Sequence, residues 1–368
     1  MIPGDGIGRE VIGVALDVLD AVRAHASLDL AWDVLPWSAD HYLATGETLP
    51  DGAAEQLQRD YDAILLGALG DPRVPNHAHA RDILLGLRVK LDLYVNLRPV
   101  RLYDPSLCPL RTPDGTVPAI DFVVVRENTE GAYIGAGGSF RRGTEDEIAV
   151  EEAIHSRRGV ERILRAAFEL ARREGRRRVT MADKSNAMRH SGGLWQRTFA
   201  EVRADYPEIE AEHRYVDALA MDLIIHPARY DVIVADNLFG DIVSDLGAGL
   251  QGSLGLAGSA NVHPGGMAMF EPVHGSAPDI AGQGLANPMA AVLTAAMMLD
   301  HLGHADAAVA LDAAVNDALN AGEVTPDLGG TLDTGAVGAR LIARVGEALS
   351  PPAPPLAPAE ADRAAGVR

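Results

Sequence analysis

The stretch 230–246, YDVIVADNLFGDIVSDL, constrains the fold more than any other part of the sequence. Its segment Asp231–Ala235 predicts a short buried strand, because three β-branched residues stand together between polar neighbours. Asp236 and Asn237 then turn the chain into a helical pattern. The apolar side of that helix is formed by Leu238, Ile242, Val243 and Leu246. A buried strand that leads directly into an amphipathic helix is the repeating unit of α/β proteins.

Two carboxylates on this predicted helix are a candidate metal site. Asp241 and Asp245 are four residues apart, so they share one helix face, where like charges cost about 0.2–0.5 kcal/mol. A divalent cation held by both groups would reverse that cost, and oxygen ligands suit Mg²⁺ or Mn²⁺. A pair at this spacing is, by itself, more often a solvated acidic face. The rest of the sequence therefore has to decide between the two interpretations.

Strand and helix patterns alternate along most of the chain, which predicts a mostly parallel sheet with helices on its faces. Other predicted strands are Leu28–Leu35, Ala63–Leu66, Leu93–Leu102, Ile120–Val125, Arg178–Ala182 and Glu212–Tyr215. Other predicted helices are Arg9–His25, Gly52–Asp60, Ala80–Leu91, Arg157–Arg173, Ser191–Tyr206, Val216–His226, Asn287–His301, Ala305–Ala321 and Gly335–Leu349. Phe270–Asp279 predicts a polar loop, and the Pro- and Ala-rich segment 350–368 predicts a disordered tail.

The segment Glu130–Val150 has glycines and alternating character but no helical period. It predicts a pair of strands that protrudes from the body and could clasp a second subunit. A surface loop is the alternative interpretation.

Composition and charge exclude several classes of function. The chain has 368 residues, of which 47% are hydrophobic, so one large or two ordinary domains can form a core. The net charge of −20 argues against binding to nucleic acid or to anionic membrane surfaces. The single cysteine, Cys108, excludes a disulfide framework and fits a reducing cytoplasm. The first residues lack signal-peptide features, and no apolar run is long enough to span a membrane.

Two glycine-rich segments need separate interpretation. GDGIG at 4–8 opens a helix, so backbone N–H groups could face a ligand there. Gly247, Gly249 and Gly252 match the G-x-G-x-x-G pattern of dinucleotide-binding sites. That pattern has to follow a strand and open a helix, whereas here it closes a helix. We therefore reject it as a dinucleotide fingerprint.

Basic residues supply candidates for anion binding and proton transfer. Four arginines are predicted to lie near sheet edges, namely Arg88, Arg98, Arg101 and Arg126, and guanidinium groups bind carboxylates bidentately. In a chain of negative net charge, such a cluster favours a dianionic ligand, although each arginine could equally form a surface ion pair. Tyr133 and Lys184 are candidates for proton transfer, since neighbouring cations can lower the pKa of a lysine.

Six segments, in this order, together resemble the β-decarboxylating dehydrogenases, the family of isocitrate, 3-isopropylmalate, homoisocitrate and tartrate or D-malate dehydrogenases. They are GDGIG, LLGLRVKLDLYVNLRPVRLY, VVVRENTEGAYIGAGG, DKSNA, DVIVADNLFGDIVSDL and FEPVHGSAPDIAGQGLANP. The resemblance extends from about Ile2 to Leu349.

The resemblance implies an α/β fold of the isopropylmalate-dehydrogenase type, with two α/β domains around a mostly parallel or mixed sheet, and not a Rossmann fold. Residues 1–99 and 251–349 would form a discontinuous cofactor-binding domain. Residues 100–250 would form the substrate, metal and dimerisation domain, with the clasp at about 130–150.

The resemblance also assigns roles to individual residues. Arg88, Arg98 and Arg126 would bind the substrate carboxylates, together with Leu84, Leu85 and Ala187 as substrate contacts. Mg²⁺ or Mn²⁺ would be held by Asp241 and Asp245, with Asp217 of the other subunit. Lys184, also from the other subunit, would be the base and Tyr133 the acid. The protein would be a cytoplasmic homodimer that shares its active sites between subunits and acts on a small molecule.

The cofactor implied by the resemblance is NAD. The loop HGSAPDIAG would wrap the adenosine, and the implied cofactor-binding residues are Glu271, His274, Gly275, Ser276, Ala277, Asp279 and Asn287. Asp279 stands where NAD-dependent members place a carboxylate on the ribose. A carboxylate there repels the 2′-phosphate of NADP.

The substrate is less sharply defined by the sequence. Leu84 and Leu85 match the apolar pair that faces the isopropyl group, which favours 3-isopropylmalate and a role in leucine biosynthesis. Ala187 replaces a common valine, and other segments resemble tartrate/D-malate dehydrogenases, so another 2-substituted malate is the alternative. A catalytically silent regulatory paralogue is the non-enzyme alternative. Only Met1–Pro3 precede GDGIG, where members usually have a full strand, and Arg9 replaces a common proline.

Overall fold

A computed structural model describes residues 1–112 and 115–349 of the chain. The strands are β1 Ile64–Leu65, β2 Val95–Arg101, β3 Asp121–Glu127, β4 Gly137–Phe140, β5 Ile148–Glu151, β6 Arg178–Asp183, β7 Glu210–Tyr215, β8 Val232–Ala235, β9 Gly258–Val262 and β10 Ala268–Pro272. The helices are α1 Ile7–Ala26, α2 Ala39–Thr45, α3 Ala53–Asp60, α4 Ala78–Ala80, α5 Gly86–Lys90, α6 Arg157–Arg173, α7 Arg189–Val202, α8 Val216–Ile225, α9 Asn237–Leu250, α10 Met289–His301, α11 Ala305–Asn320 and α12 Thr334–Leu349. The predicted tail, 350–368, lies outside the described residues.

A single mixed sheet of eight strands runs through the molecule in the order β1-β10-β9-β2-β3-β8-β6-β7. The pairs at both ends are parallel, whereas the central pairs β10–β9, β9–β2 and β2–β3 are antiparallel. A Rossmann sheet is parallel throughout its dinucleotide-binding halves. The predicted α/β class with a mixed, non-Rossmann sheet is therefore confirmed.

The buried apolar residues fall into two sets along the chain. One set comes from residues 2–93 and 256–345, and includes the packed helices α1, α10, α11 and α12. The other comes from residues 95–250, and includes α6, α7, α8 and α9. The division runs close to the predicted domain boundaries, which stay a prediction.

Most predicted elements are present, and α6 has the predicted bounds. The predicted strand Leu28–Leu35 is wrong, because its backbone bonds to Met1 are limited to Leu35 N–H donating to Met1 O and the Met1 amino group donating to Asp33 O, and no ladder forms. The polar loop predicted for Phe270–Asp279 is wrong in its first part, which belongs to β10. Strands β9 and β10 form an antiparallel pair whose flanking glycines and prolines hide their strand character in the sequence.

The predicted pair of strands in Glu130–Val150 is confirmed as the antiparallel hairpin β4–β5, in which Gly138 pairs with Val150. Its side chains are exposed, including the large apolar residues Phe140 and Ile148. Whether the hairpin clasps a second subunit stays a prediction.

The helix predicted at Ala80–Leu91 is present as three consecutive pieces. The π-helical segment Arg81–Leu85 separates α4 from α5, and the whole run is called the composite helix 78–90 below. Single π-helical turns are rare and occur frequently at functional sites. This one carries Leu84, and Arg88 follows it in the first turn of α5.

Close backbone approach fixes α9 on the sheet. A Cβ atom on Gly240 would lie 2.7 Å from Cβ of Arg126, and one on Gly247 would lie 2.5 Å from Cγ2 of Val100. Both glycines face the strands β2 and β3 across this contact. The acidic face of α9 is thereby held next to the arginines of those strands.

Substitution of these helix glycines tests that contact. Gly240→Ala should lower the free energy of unfolding by about 1–3 kcal/mol, because Cβ of Arg126 belongs to the strand and cannot move aside cheaply. Gly249→Ala, in the same helix but facing open space, should raise it by about 0.5–1 kcal/mol. Urea unfolding at one protein concentration measures both, and equal effects of the two variants would contradict the close-packing argument.

Candidate active site

Strand register brings two arginines to one face of the sheet. In the antiparallel pair β2–β3, Asn96 lies opposite Arg126 and Arg98 lies opposite Val124. Residues two apart on a strand share a face, so Arg98 and Arg126 are diagonal neighbours. Both are buried, and α9 covers this face.

The acidic face of α9 meets these arginines directly. Nη1 of Arg126 lies 2.6 Å from Oδ1 of Asp241, and Nη1 of Arg98 lies 3.2 Å from Oδ1 of both Asp241 and Asp245. The hydroxyl of Tyr133 donates to Oδ2 of Asp241 at 2.6 Å. The structure therefore brings together five of the predicted site residues in one cluster.

Charge and burial set the protonation of this cluster. Burial would raise the pKa of Asp241, but the charges of Arg126 and Arg98 and the hydrogen bond from Tyr133 outweigh it and lower that pKa. Burial raises the pKa of Asp245. The negative charge of Asp241 adds to this increase, whereas the positive charge of Arg98 opposes it. Burial and neighbouring Arg98 lower the pKa of Arg126 to about 10, so the group stays charged at neutral pH.

Arg88 approaches the cluster from the composite helix 78–90. Its Nη2 donates to Oε1 of Glu271 on β10 at 2.6 Å, and both side chains are buried. Its Nε is buried and has no hydrogen-bond partner among the described residues. Among the described residues Nε of Arg88 therefore remains available to donate a hydrogen bond to a bound anion.

One cavity of about 160 Å³ joins the predicted substrate and cofactor residues. Its lining includes Leu84, Arg88 and Arg98 from the substrate set, and Glu271, His274 and Gly275 from the cofactor set. Leu85 does not line this cavity. Small-molecule sites combine apolar walls with a few convergent polar groups, and this cavity has that composition.

The remaining predicted cofactor residues lie along the connection between β10 and α10. The backbone oxygen of Ser276 accepts from Ile7 N–H at 2.9 Å, so this connection packs on the GDGIG turn. Ala277 has φ of 36°, and the side chain of Asp279 is exposed. Burial lowers the pKa of His274, which favours a neutral ring. Oδ1 of Asn287 accepts from N–H of Met289, the first residue of α10.

Three predicted site residues stand apart from the cluster. Lys184 Nζ lies 2.7 Å from Oδ2 of Asp217, which follows the first residue of α8 and is largely exposed. Ala187 is also exposed. Within the described residues, neither Lys184 nor Asp217 bonds to Arg98, Arg126, Asp241 or Asp245. The predicted site residues therefore form two separate groups in one chain.

The carboxylates of the cluster fit a divalent metal only in part. Asp241 and Asp245 offer carboxylate oxygens on one helix face, and Arg98 bridges both as a cation would. In the described part of the chain, no three His, Cys, Asp or Glu side chains converge to hold a metal ion. The two carboxylates fit part of a Mg²⁺ or Mn²⁺ site, and Asp217 of the same chain does not complete it.

Arg101 is the one arginine whose predicted place in the inward cluster is wrong. It forms an ion pair of 2.7 Å with Asp312 on α11. Arg98 and Arg101 are three residues apart on β2, so they project from opposite faces of the strand.

Several polar residues of the site are missed by sequence reasoning. Arg98 Nε donates to Asn96, Asn96 Nδ2 to Asn261, and Asn261 Nδ2 to Glu271, at 3.0–3.1 Å. This amide relay connects Arg98 to Glu271 and hence to Arg88. A signal was available for Asn96, because it is a polar residue between Val95 and Leu97 in an apolar strand.

Comparison with known proteins identifies the family. The sequence pattern of the isocitrate/isopropylmalate dehydrogenase family matches residues 1–341. The chain belongs to this family. It is 48% identical over 350 residues to the 3-isopropylmalate dehydrogenase of Thermobifida fusca, covering 94% of this chain and 97% of the relative. It is 51% identical over 322 residues to that of Frankia casuarinae, covering 87% and 91%.

Solved structures of this family have the same fold. The crystal structure of isocitrate dehydrogenase from Methylococcus capsulatus superposes with a TM-score of 0.83 at 38% identity, covering 94% of this chain and 98% of that one. The crystal structure of the TT0538 protein from Thermus thermophilus superposes with a TM-score of 0.82 at 38% identity, covering 94% of this chain and 67% of that one. The family and fold predicted from the sequence are confirmed. In the described residues, every helix is too short or too polar to cross a bilayer.

Replacing the first amide of the relay tests its contribution. Asn96→Ala removes the acceptor of Arg98 Nε and should lower the free energy of unfolding by about 1–3 kcal/mol. The matched control is Asn316→Ala, whose side chain bonds only to its neighbour in α11 and should change stability by less than about 0.5 kcal/mol. Denaturant unfolding followed by circular dichroism compares the two, and an Asn96 effect no larger than the control would show that the relay contributes nothing.

Proposed function

We propose that this protein catalyses the NAD-dependent oxidative decarboxylation of 3-isopropylmalate to 4-methyl-2-oxopentanoate, a step of leucine biosynthesis. The observation that carries the proposal is a cavity lined by Leu84 and two buried arginines, Arg88 and Arg98. Arg98 is paired with the carboxylates of Asp241 and Asp245, and Asp241 is also paired with buried Arg126. The identity of about half the residues with relatives named 3-isopropylmalate dehydrogenase supports this substrate over isocitrate.

The arginines hold the substrate as a dicarboxylate. Arg88 has an unpartnered buried Nε, and Arg98 and Arg126 project from the same sheet face. Guanidinium groups bind carboxylates bidentately and stay charged, which suits a ligand with two carboxylates. Leu84 lies on the same cavity wall and would contact the isopropyl group.

The residues that move protons follow from their surroundings. Lys184 would take the proton of the substrate hydroxyl, and NAD⁺, when bound, would supply the acceptor for the hydride on the same carbon. Loss of the β-carboxylate as CO₂ leaves an enolate, and Tyr133 protonates its carbon to give the 2-oxo acid. Burial and the hydrogen bond to Asp241 raise the pKa of Tyr133, so it holds its proton at neutral pH, as a general acid must.

Asp241 and Asp245 would hold Mg²⁺ or Mn²⁺ together with Asp217 of a second copy of the chain. When bound, such an ion stabilises negative charge on substrate oxygens. The exposed carboxylate of Asp279 would face the adenosine ribose and disfavour the 2′-phosphate, which favours NAD over NADP.

The separation of Lys184 and Asp217 from the arginine cluster supports a site completed by a second copy. The elements that carry both groups also expose large apolar side chains, among them Met221 and Ile225 on α8 and Ile242 on α9. Exposed apolar patches of this kind mark protein–protein contacts. In the proposed homodimer, each site combines Tyr133 and Asp241 of one copy with Lys184 and Asp217 of the other.

Substrate choice is tested by NADH formation with purified protein and Mn²⁺. Among 3-isopropylmalate, D-malate, tartrate, isocitrate and homoisocitrate, the first should give a kcat/KM about tenfold or more above D-malate, because the isopropyl group is buried. EDTA should abolish turnover, and NADP should be a poor substitute for NAD.

Three other outcomes would contradict this assignment in different ways. Preference for D-malate or tartrate would mean that Leu84 does not select the isopropyl group. Turnover with NADP equal to that with NAD would overturn the role given to Asp279. Inactivity on all five compounds would favour a different substituted malate or a silent regulatory paralogue.

Mixing two inactive variants tests whether the site is shared. Lys184→Met and Tyr133→Phe should each lose most activity. After joint refolding in equal amounts, half of the dimers are hybrids, and each hybrid has one intact site if the two residues come from different copies. Activity should then recover to about a quarter of wild type. A mixture as inactive as the separate variants would place both residues of a site in one chain.

A further inference from the structure

His79 is completely buried although it lies outside all the motifs that define the family. Its Nε2 lies 2.7 Å from Oδ2 of Asp5, and its ring stacks on Tyr42 with 6.3 Å between the centroids. Its Nδ1 is buried and has no hydrogen-bond partner among the described residues. Burying such an atom without a partner is unfavourable, and an apolar side chain would avoid that cost. The bond to Asp5 is what a histidine adds at this position.

The carboxylate of Asp5 is a junction between four segments. It belongs to the GDGIG turn and is itself buried. Its Oδ1 accepts from Ala39 N–H at 2.7 Å, and its Oδ2 accepts from Gly70 N–H at 2.9 Å as well as contacting His79. Two residues on, Ile7 N–H donates to Ser276 of the candidate cofactor loop. Through the GDGIG turn, Asp5 therefore connects His79 to the candidate cofactor loop.

His79 is also one of two buried side chains of the composite helix 78–90 that are paired with a carboxylate of another element. The other is Arg88, which Glu271 holds at 2.6 Å. In a regular α-helix nine residues make about 2.5 turns, so these two side chains would point to opposite sides. The π-helical segment Arg81–Leu85 lies between them and changes that angle. Leu84, on the wall of the cavity, belongs to this segment.

We propose that His79 is a positioning residue for substrate recognition. Its bond to Asp5 holds the first turn of the composite helix against the GDGIG turn, and the π-helical segment then presents Leu84 and Arg88 to the cleft at the required angle. The inference rests on the proposed function, because that function assigns Leu84 and Arg88 to the substrate. Tyr42 packs the outer side of the ring and limits its movement.

Three variants of the full chain test this role. His79→Leu keeps most of the buried volume but removes the bond to Asp5, whereas His79→Gln can still donate to it. His77→Gln is the matched control, because His77 is exposed and two residues away. His79→Leu should raise the KM for 3-isopropylmalate about tenfold and reduce the preference over D-malate at least fivefold, with kcat within threefold of wild type.

The remaining results separate positioning from a purely structural role. His79→Gln should recover most of the substrate preference, and His77→Gln should match wild type. Thermal unfolding fixes an assay temperature at which every variant is folded. If His79→Leu is less stable but discriminates between the two substrates like wild type, the proposal is wrong.

Hydrogen exchange distinguishes this failure from failure of the proposed function. His79→Leu should speed amide exchange in 84–90 but not in α6, a helix of the other core set. If wild type turns over none of the malates, the proposed function fails, and unchanged exchange in 84–90 would independently overturn the coupling through His79.

Discussion

The structure depends on the burial of three guanidinium groups close to one another. Removing a charge from water is costly unless the charge is paired and hydrogen-bonded. The lowered pKa of Arg126 reflects that cost, since burial and the nearby charge of Arg98 both disfavour its protonated form. Asp241, Asn237 and the ring of Tyr133 compensate it. An arrangement that is only partly compensated within the protein is well suited to a ligand that brings two further negative charges.

The amide relay extends this arrangement across the centre of the sheet. Asn96 lies on β2 and Asn261 on β9, and the two strands pair antiparallel at this register. The relay therefore joins Arg98, in one core set, to Glu271 and Arg88, in the other. If the two core sets moved relative to each other, the hydrogen bonds of the relay would have to deform or shift. Arg88 and Arg98 thus lie where the two core sets are connected.

Sequence reasoning succeeded where a local pattern fixes the structure. The periodicity of Arg157–Arg173 predicts α6 residue for residue, and the spacing of Asp241 and Asp245 places both carboxylates on one helix face. It failed where a partner segment decides the outcome. Leu28–Leu35 has a strand pattern but no ladder, and β9 and β10 form strands despite their glycines and prolines because they pair with each other. Arg101 lies on the same strand as Arg98, yet it projects from the opposite face and pairs with Asp312.

The sequence by itself determined the family, the α/β class and the residue types of the site, because motifs and hydrophobic periodicity are local properties of the chain. Tertiary structure alone decided which of those residues meet. The register of β2 on β3 placed Arg98 beside Arg126. The close approach of Gly240 to β3 brought Asp241 to both arginines. The buried carboxylate of Asp5 lies within hydrogen-bond distance of His79. Arg126 and Asp241 are 115 positions apart, and Asp5 and His79 are 74 positions apart. No local pattern encodes such distances, because they depend on how the whole chain packs.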